Sequence, residues 1–492
     1  MRKDVQEIID RYESYHPNPR SHIIKSAYKL AEILYFGEKR VNEEPWLDHA
    51  IRISNYLSKL GLDSITISAG LLHDSLEFGL TYKEIEQEVD PDVAELVQNI
   101  ITIKEIRGKG VVNGSDGGQV EYLRRLIIST AKDVRAVIIR LVEKLDSLKT
   151  VEYLEGQKKQ LVLDNALNLY APLAEQIGLN NLKSDIEDAA FERLDPETFK
   201  KLQHTLDTHP VTNDKYIKEV TEIIKDIIQS EKIDLVDYYG RKKRPYSLNK
   251  KIIRYMQKFN YSEASAIESI HDKVAFRIIL NSVEDCYKVL DLLHNSFKYI
   301  PSEFDDYISK PKPNGYKSLQ TSLELLNGHF AEVQIRTLDM HRHNEYGMAS
   351  HIIYKLNDAK SDAPASEKIE VLKRLISWKD GILTTDKSGV NIEEIEKYLF
   401  VFTPKGDLFE LPKNSTALDF AYILHSDLGH KAVRAKINGV LKPLNVIPKN
   451  GDVIEIICDI KKKGPSRDHL EFVVSKEARL NIKKWLRRDL KI

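Results

Sequence analysis

The sequence predicts a multidomain protein: an all-α part over residues 1–205, an α/β domain with a mixed sheet over 206–355, and a small β-rich module over 397–460. Three observations predict it. Apolar residues recur at three- and four-residue spacing through the first two hundred positions. Two strand-like runs, the second alternating with period two, then flank a helical run. After residue 398, short strand-like runs alternate with Pro-Lys-Gly-Asp and Asn-Gly turns. A chain of 492 residues fits roughly three or four domains.

In the all-α part, "SITISAGLLHDSLEFG" and "DVRAVIIRLVEKLDSLKTV" carry the helical spacing, and Gly and Pro are scarce inside them. The stretch 107–119, "RGKGVVNGSDGGQ", reads as a loop because five of its thirteen residues are glycine. In the α/β domain, "DKVAFRIIL" (272–280) and "HFAEVQIRT" (329–337) read as strands around the helix "VEDCYKVLDLLHNSF". Alternation on the second strand puts Ala331, Val333 and Ile335 on a core face and Glu332, Gln334 and Arg336 together on the other. Residues 356–396 read as a polar linker with a short helix. The module that follows has two strands, a helix started by Ser415 or Thr416, and further strands. Residues 461–492 form a basic helical segment.

Composition excludes several classes. Apolar content of 42% and charged content of 30% suit globular domains with real cores. A net charge of −1 gives no global basic field for nucleic acid, so such a partner would be met by local patches. Cys286 and Cys458 are too few and too far apart for a disulfide framework or a zinc site of paired cysteines. The charged start and the lack of an 18-residue apolar run predict a cytoplasmic protein with no membrane partner.

The chemistry concentrates in the α/β domain. Polyphosphate transfer needs carboxylates for Mg²⁺, cations for the phosphates, and a group that accepts a proton from the attacking hydroxyl. Asp272 opens one predicted strand and Glu332 lies on the polar face of the other. Between them, "PSEFDDYISKPKPNGYKSLQTS" (301–322) holds Glu303, Asp305 and Asp306, then Lys310, Lys312 and Lys317. Upstream, "GRKKRPYSLNKK" (240–251) reads as a basic loop entering a helix. Tyr316 offers an aromatic face for a base. Singly, each piece is an ordinary solvated surface feature, and neither a P-loop nor a GxGxxG motif is present.

"GRKKRPYS", "HDKVAFRII", "EFDDYISKPKPNGYKSLQT", "EVQIRT" and "MHRHNEYGMASH", in this order and spacing, resemble the synthetase domain of the long RelA/SpoT homologues. Such enzymes move pyrophosphate from ATP to the 3′-hydroxyl of GDP or GTP, making (p)ppGpp. "VFTPKGDLFELPKNSTALDFAYILHSDLGH" is similar to their TGS module, a β-grasp-like fold, and the first two hundred residues to their HD-type hydrolase domain. The middle domain then corresponds to a nucleotidyltransferase-like synthetase. The resemblance implies that Arg241, Lys243 and Arg277 meet ATP, that Asp272 holds Mg²⁺, and that Glu332 is the base or a second Mg²⁺ ligand. It places Tyr316 on guanine, Lys312 and Asn314 near the GDP or GTP, and Gln334, Arg336 and His341 around the pocket. Gln320 stands where the family usually has His. The acidic Glu303, Asp305 and Asp306 resemble the "ExDD" form of dedicated synthetases rather than the basic "RxKD" form of bifunctional ones.

In the N-terminal half the resemblance implies a Mn²⁺ site of His49, His73, Asp74 and, in place of a distant Asp, Glu143, with Arg40 and Glu77 on the substrate side. His73 and Asp74 are read as lying on a helix, with Glu77 one turn on. Phe78 replaces the second acid of the usual Glu-Asp pair, and Asp146 and Ser147 stand where His-Asn is usual. Phe cannot order a water. The expectation is a hydrolase that is absent or severely weakened, with the HD domain regulating the synthetase. The alternatives are a bifunctional enzyme with shifted ligands and a decayed module that binds ribosome or tRNA. The TGS resemblance implies contact with uncharged tRNA on the ribosome, with His425 a contact or a structural residue. No counterpart of the family's later zinc-finger and ACT modules follows in this sequence.

Overall fold

The described part of the first 205 residues is mainly helical, as the apolar spacing predicts, in the computed structural model of the chain, which describes residues 1–104, 126–312, 315–346, 369, 372–377 and 398–489. The predicted loop 107–119 and all of the linker but Ile369 and the helical residues 372–377 lie outside the described residues. The fold has two compact units: residues 1–72 with 138–356, and residues 73–137 with 357–492. Among the described residues no helix is long and apolar enough to cross a membrane.

In the first unit, helix Lys3–Tyr15 buries Val5, Ile8, Ile9 and Tyr12, one stripe at helical spacing. It is tied to helix Trp46–Lys59 by Arg11, which donates to Asn55 and Ser58. The expected boundary at 205 is a packed joint rather than a gap. Phe191, Leu202 and Leu206 share one core with Leu248, Ile252, Ala266 and Ile270. Helix Asn180–Leu194 therefore belongs as much to the α/β part as to the helical part.

The α/β part is a mixed five-stranded sheet. Its strands are β1 (Leu235–Lys242), β2 (Val274–Leu280), β3 (Asp305–Asp306), β4 (Leu319–Glu324) and β5 (Phe330–Thr337), in the order β1-β2-β5-β4-β3. Only β2 and β5 run parallel. One face packs on helices Asp214–Ser230 and Val283–Ser296 and buries Phe276, Ile278, Leu280, Leu319, Leu323, Ala331, Val333 and Ile335. Each of these side chains other than Ala331 contributes about 1.5–3 kcal/mol on burial. The core face of β5 is the one its alternation predicts.

Two expectations change here. Gly240, Arg241 and Lys242 lie on β1, paired with Phe276, Ala275 and Val274, so the basic run is a strand that feeds the helix Pro245–Phe259. Arg336 is completely buried, so the polar face of β5 is covered at that end.

In the second unit, β6 (Tyr398–Phe402) and β7 (Leu408–Pro412) form a hairpin, and β8 (Ala432–Ile437), β9 (Val440–Lys442) and β10 (Ile454–Cys458) a three-stranded sheet in the order β10-β8-β9. A parallel bridge between Phe402 and Val453 joins them. Thr416 starts the helix Ala417–Leu424 through a capping box with Asp419. The basic segment is helical over Lys476–Asp489.

Candidate active site

Strand register builds the site. Tyr239 on β1 faces Arg277 on β2, Arg277 faces Gln334 on β5, Gln334 faces Gln320 on β4, and Gln320 faces Asp305 on β3. Because side chains alternate, this row projects from the face opposite the core. A second row holds Arg241, Ala275, Glu332 and Ser322.

Asp272 sits in the 3₁₀ turn His271–Lys273 that leads into β2. The turn is anchored by the buried Lys273, whose Nζ donates to the carbonyls of Ile267, Glu268 and Ile270 at 2.7, 3.3 and 2.7 Å. Asp272 Oδ2 accepts from Lys243 Nζ at 2.6 Å, and Lys251 Nζ lies 2.9 Å from Oδ1. Burial opposes the charge on Asp272, but Lys243 and Lys251 outweigh it and hold its pKa below the ordinary value. Glu332 shifts the other way: burial, then the charge of Asp272, raises its pKa. Gln334 Nε2 donates to it. The result is one carboxylate held ionised and a neighbour made basic. Asp272 Oδ1 is buried and accepts no well-directed hydrogen bond despite the nearby lysine. Two neighbouring carboxylates are the donor chemistry that a divalent cation takes, and a cation at Asp272 would replace the contacts from Lys243 and Lys251.

Arg277 donates from Nη1 to Tyr239 Oη at 3.1 Å and to Glu345 Oε1 at 2.8 Å, and from Nε to Gln334 Oε1 at 3.3 Å. Arg336 Nη2 donates to the same Glu345 oxygen at 3.3 Å, and its Nε and Nη1 have no hydrogen-bond partner. Arg241 lies close enough to Glu345 and Arg277 to feel both, burial being the larger influence on it. Burial and then Arg336 lower the pKa of His341 to about 4, so its ring is neutral at pH 7. Its edge faces Tyr239, with ring centroids 6.4 Å apart.

Tyr316 is held as a ring on edge. Its hydroxyl accepts from Gln320 Nε2 at 2.9 Å and Ser318 Oγ at 3.1 Å, and its ring meets Tyr307 at 6.2 Å in a T-shaped pair. Gln320 thus has a defined task, orienting the tyrosine. Lys312 Nζ lies 4.2 Å from the Tyr307 ring centre and 5.3 Å from that of Tyr316. Asn314 lies outside the described residues. The acidic trio serves local structure. Glu303 pairs with His271 at 3.1 Å. Asp306 accepts from Tyr287 Oη at 2.9 Å and from the amides of Ile308 and Ser309. Asp305 pairs with Gln320 across the β3–β4 ladder. Lys310 and Lys317 are exposed.

Lys251, Tyr239, Asn344 and Glu345 were not singled out by sequence reasoning. Lys251 and Glu345 lie inside the runs "GRKKRPYSLNKK" and "MHRHNEYGMASH", so the signal was present. Nothing in a one-dimensional pattern ranks them above their neighbours.

The N-terminal residues fall in both units. In the first, His49 is buried and its Nδ1 lies 2.7 Å from Asp146 Oδ2. Arg52 donates to Asp146 through Nε and Nη2 at 2.8 Å, and Arg40 Nη1 lies 3.5 Å away. Burial opposes the Asp146 charge, but Arg52 and His49 hold its pKa far below the carboxylate range. Glu143 pairs with Arg140 and, at 3.3 Å, with Lys144. The carboxylate brought to His49 is therefore Asp146, one helical turn on, because Glu143 points to two cations instead. A metal at Glu143 would have to displace both, so this residue fits a Mn²⁺ site poorly. In the second unit, His73 and Asp74 are not helical. The preceding helix ends at Leu72, and Glu77 is exposed in the 3₁₀ turn Ser75–Phe78, which closes at Gly79 with φ +88°. His73 Nε2 lies 3.1 Å from Asp74 Oδ2, and both residues are buried. His425 is exposed and caps the short helix Ser426–Lys431, its Nδ1 accepting from the Asp427 amide.

A family model described as a region found in RelA / SpoT proteins matches residues 240–359, an HD domain model matches 27–180, and a TGS domain model matches 399–458. A GTP pyrophosphokinase of Myxococcus xanthus is 34% identical over 481 residues, 96% of this chain and 62% of that protein. A guanosine-3′,5′-bis(diphosphate) 3′-pyrophosphohydrolase of Aquifex aeolicus is 35% identical over 490 residues, 99% of this chain and 67% of that protein. A GTP pyrophosphokinase of Streptomyces antibioticus is 33% identical, with 95% of this chain and 56% of that protein covered. The chain thus spans 56–67% of the length of these relatives. The synthetase and HD families are metal-dependent. With its HD, synthetase and TGS regions in this order, the chain belongs to the RelA/SpoT family.

Proposed function

We propose that the chain is a cytoplasmic ATP:GDP/GTP 3′-pyrophosphotransferase that makes (p)ppGpp. Residues 206–355 carry the reaction, 1–205 act mainly as a regulatory HD domain, and 397–460 form the TGS domain. The observation that carries this reading is the pair Asp272 and Glu332, one held ionised by Lys243 and Lys251, the other made basic by burial and by its neighbour.

In this reading Glu332 accepts the proton of the 3′-hydroxyl as that oxygen attacks the β-phosphorus of ATP. The β–α bridging bond breaks and AMP leaves. Arg241, Arg277, Lys243 and Lys251 balance the polyphosphate charge, and Tyr316 stacks the guanine with Lys312 beside it. Asp272 and Glu332 would hold Mg²⁺, which supplies charge neutralisation on the phosphates when bound. Gln334, Arg336 and His341 line the pocket.

Incubation of the purified chain with ATP, GDP or GTP and Mg²⁺, resolved by anion-exchange chromatography, should yield AMP and the 3′-pyrophosphorylated nucleotide in equal amounts. Absence of both products over a range of Mg²⁺ concentrations refutes the proposal. A bifunctional enzyme is the second reading, favoured by the buried His73–Asp74 pair and by the hydrolase name of the Aquifex relative. The pairing of Glu143 with Arg140 and Lys144, together with Phe78, weighs against it. At the TGS domain we assign uncharged tRNA and the ribosome as partners.

A further inference from the structure

One carboxylate lies between the two sets of nucleotide ligands. Glu345 is 7% exposed, and its Oε1 accepts from Arg277 of the ATP set and from Arg336 of the GDP/GTP set. Its Oε2 accepts from Asn181 Nδ2. Asn181 lies in the first turn of the helix Asn180–Leu194, which arrives from the helical part of the same unit. The same helix clamps the neighbouring residue: Asn180 Nδ2 donates to the Asn344 carbonyl at 2.8 Å. Asn344 in turn holds the Lys317 backbone by two bonds, 3.1 and 2.7 Å.

Two buried guanidiniums at one point repel each other unless an anion stands between them. Arg336 has no other carboxylate partner among the described residues, and its buried Nε and Nη1 have no hydrogen-bond partner. Glu345 takes Nη1 of Arg277 and Nη2 of Arg336 on one oxygen, while Gln334 and Tyr239 hold Arg277 from its other sides. We propose that Glu345 is the positioning residue that sets the spacing of Arg277 and Arg336, and hence of the two nucleotides, and that Asn181 fixes its carboxylate. The inference rests on the proposed pyrophosphotransfer.

Steady-state kinetics and calorimetry on the full chain test it with N181A, E345Q and their double variant. N181A is the mild variant, since Asn181 meets the arginines only through Glu345. The probes are GDP and a methylene-bridged ATP analogue, so binding is read without turnover. E345Q keeps the shape of the side chain and loses the charge. It should lower kcat by about 10–100-fold, the usual cost of an ångström-scale misplacement. Affinity for both nucleotides should fall together, by less than kcat does. N181A should show the same pattern more weakly with an unchanged melting temperature, and the double variant should be no worse than E345Q. Both variants within twofold of the parent, loss of affinity for one nucleotide alone, or additive effects would overturn the proposal. A parent that makes no product refutes the pyrophosphotransfer instead. The calorimetry then still decides this inference, upheld by a joint loss of both affinities and overturned by any other result.

Discussion

Glu332 is the residue at which activity and stability should move in opposite directions. Its half-buried carboxylate is made costlier to ionise by burial and then by the charge of Asp272. Glu332→Gln removes that repulsion and removes the proton acceptor. Synthesis should fall below detection while the melting temperature holds or rises, read by product chromatography and calorimetric melting of the same preparation. Turnover within tenfold of the parent would end the assignment of Glu332 as base. Tyr316 separates ring from hydroxyl. Tyr316→Phe keeps the face and loses the bonds from Gln320 and Ser318, whereas Tyr316→Ala loses both. GDP affinity should hold within severalfold in the first and weaken by about 1–3 kcal/mol in the second. Equal affinities in all three proteins would show that the base does not stack there.

At the scale of elements, Asp419 joins the TGS helix to the basic C-terminal helix. It is fully buried and accepts from the Thr416 amide and hydroxyl at 2.8 Å, from the Val474 amide at 3.0 Å and from the Ser475 amide at 2.7 Å. The helix Lys476–Asp489 is therefore a fixed extension of the module, not a separate tail. Asp419→Ala leaves those amides without an acceptor and should cost about 3–5 kcal/mol, read as an early unfolding transition in urea. A loss under 1 kcal/mol would show that the two helices are joined by their apolar contacts alone. In the sheet, Gly240 plays a comparable part. A Cβ there would come within 2.5 Å of Ile217 Cγ2, so the strand that carries Arg241 approaches helix Asp214–Ser230 only because residue 240 is glycine.

Across the whole molecule, the helix Asn180–Leu194 ties parts far apart in sequence. Asp185 accepts from Tyr56 of the helix that carries His49 and, on its other oxygen, from Arg244 at the start of helix Pro245–Phe259. Lys250 reaches Glu187 at 2.8 Å, and Asp188 accepts from the Tyr246 amide. The candidate site is thus built on a helix supplied by the N-terminal half, which gives that half a structural role there. The purified chain should release negligible pyrophosphate from ppGpp with Mn²⁺ present, because Phe78 cannot order a water and Glu143 is held by two cations. Robust Mn²⁺-dependent release would establish the bifunctional reading.

Sequence by itself determined the succession of helical, α/β and β-rich regions, since periodicity is local and the burial of Ala331, Val333 and Ile335 follows from alternation along one strand. It also determined the candidate chemistry, because long ordered motifs place Asp272, Tyr316 and Glu332 in one domain. Only the tertiary structure decided which charges meet. Lys251 and Lys243 converge on Asp272, and Glu345 stands between Arg277 and Arg336. Asp146 instead of Glu143 reaches His49, and the acidic loop spends its carboxylates on His271, Tyr287 and backbone amides. The reason is physical. A charge pair is worth something only at a few ångströms and with water excluded, and the distance between residues 181 and 345 or 251 and 272 is set by strand register and helix packing, not by spacing along the chain.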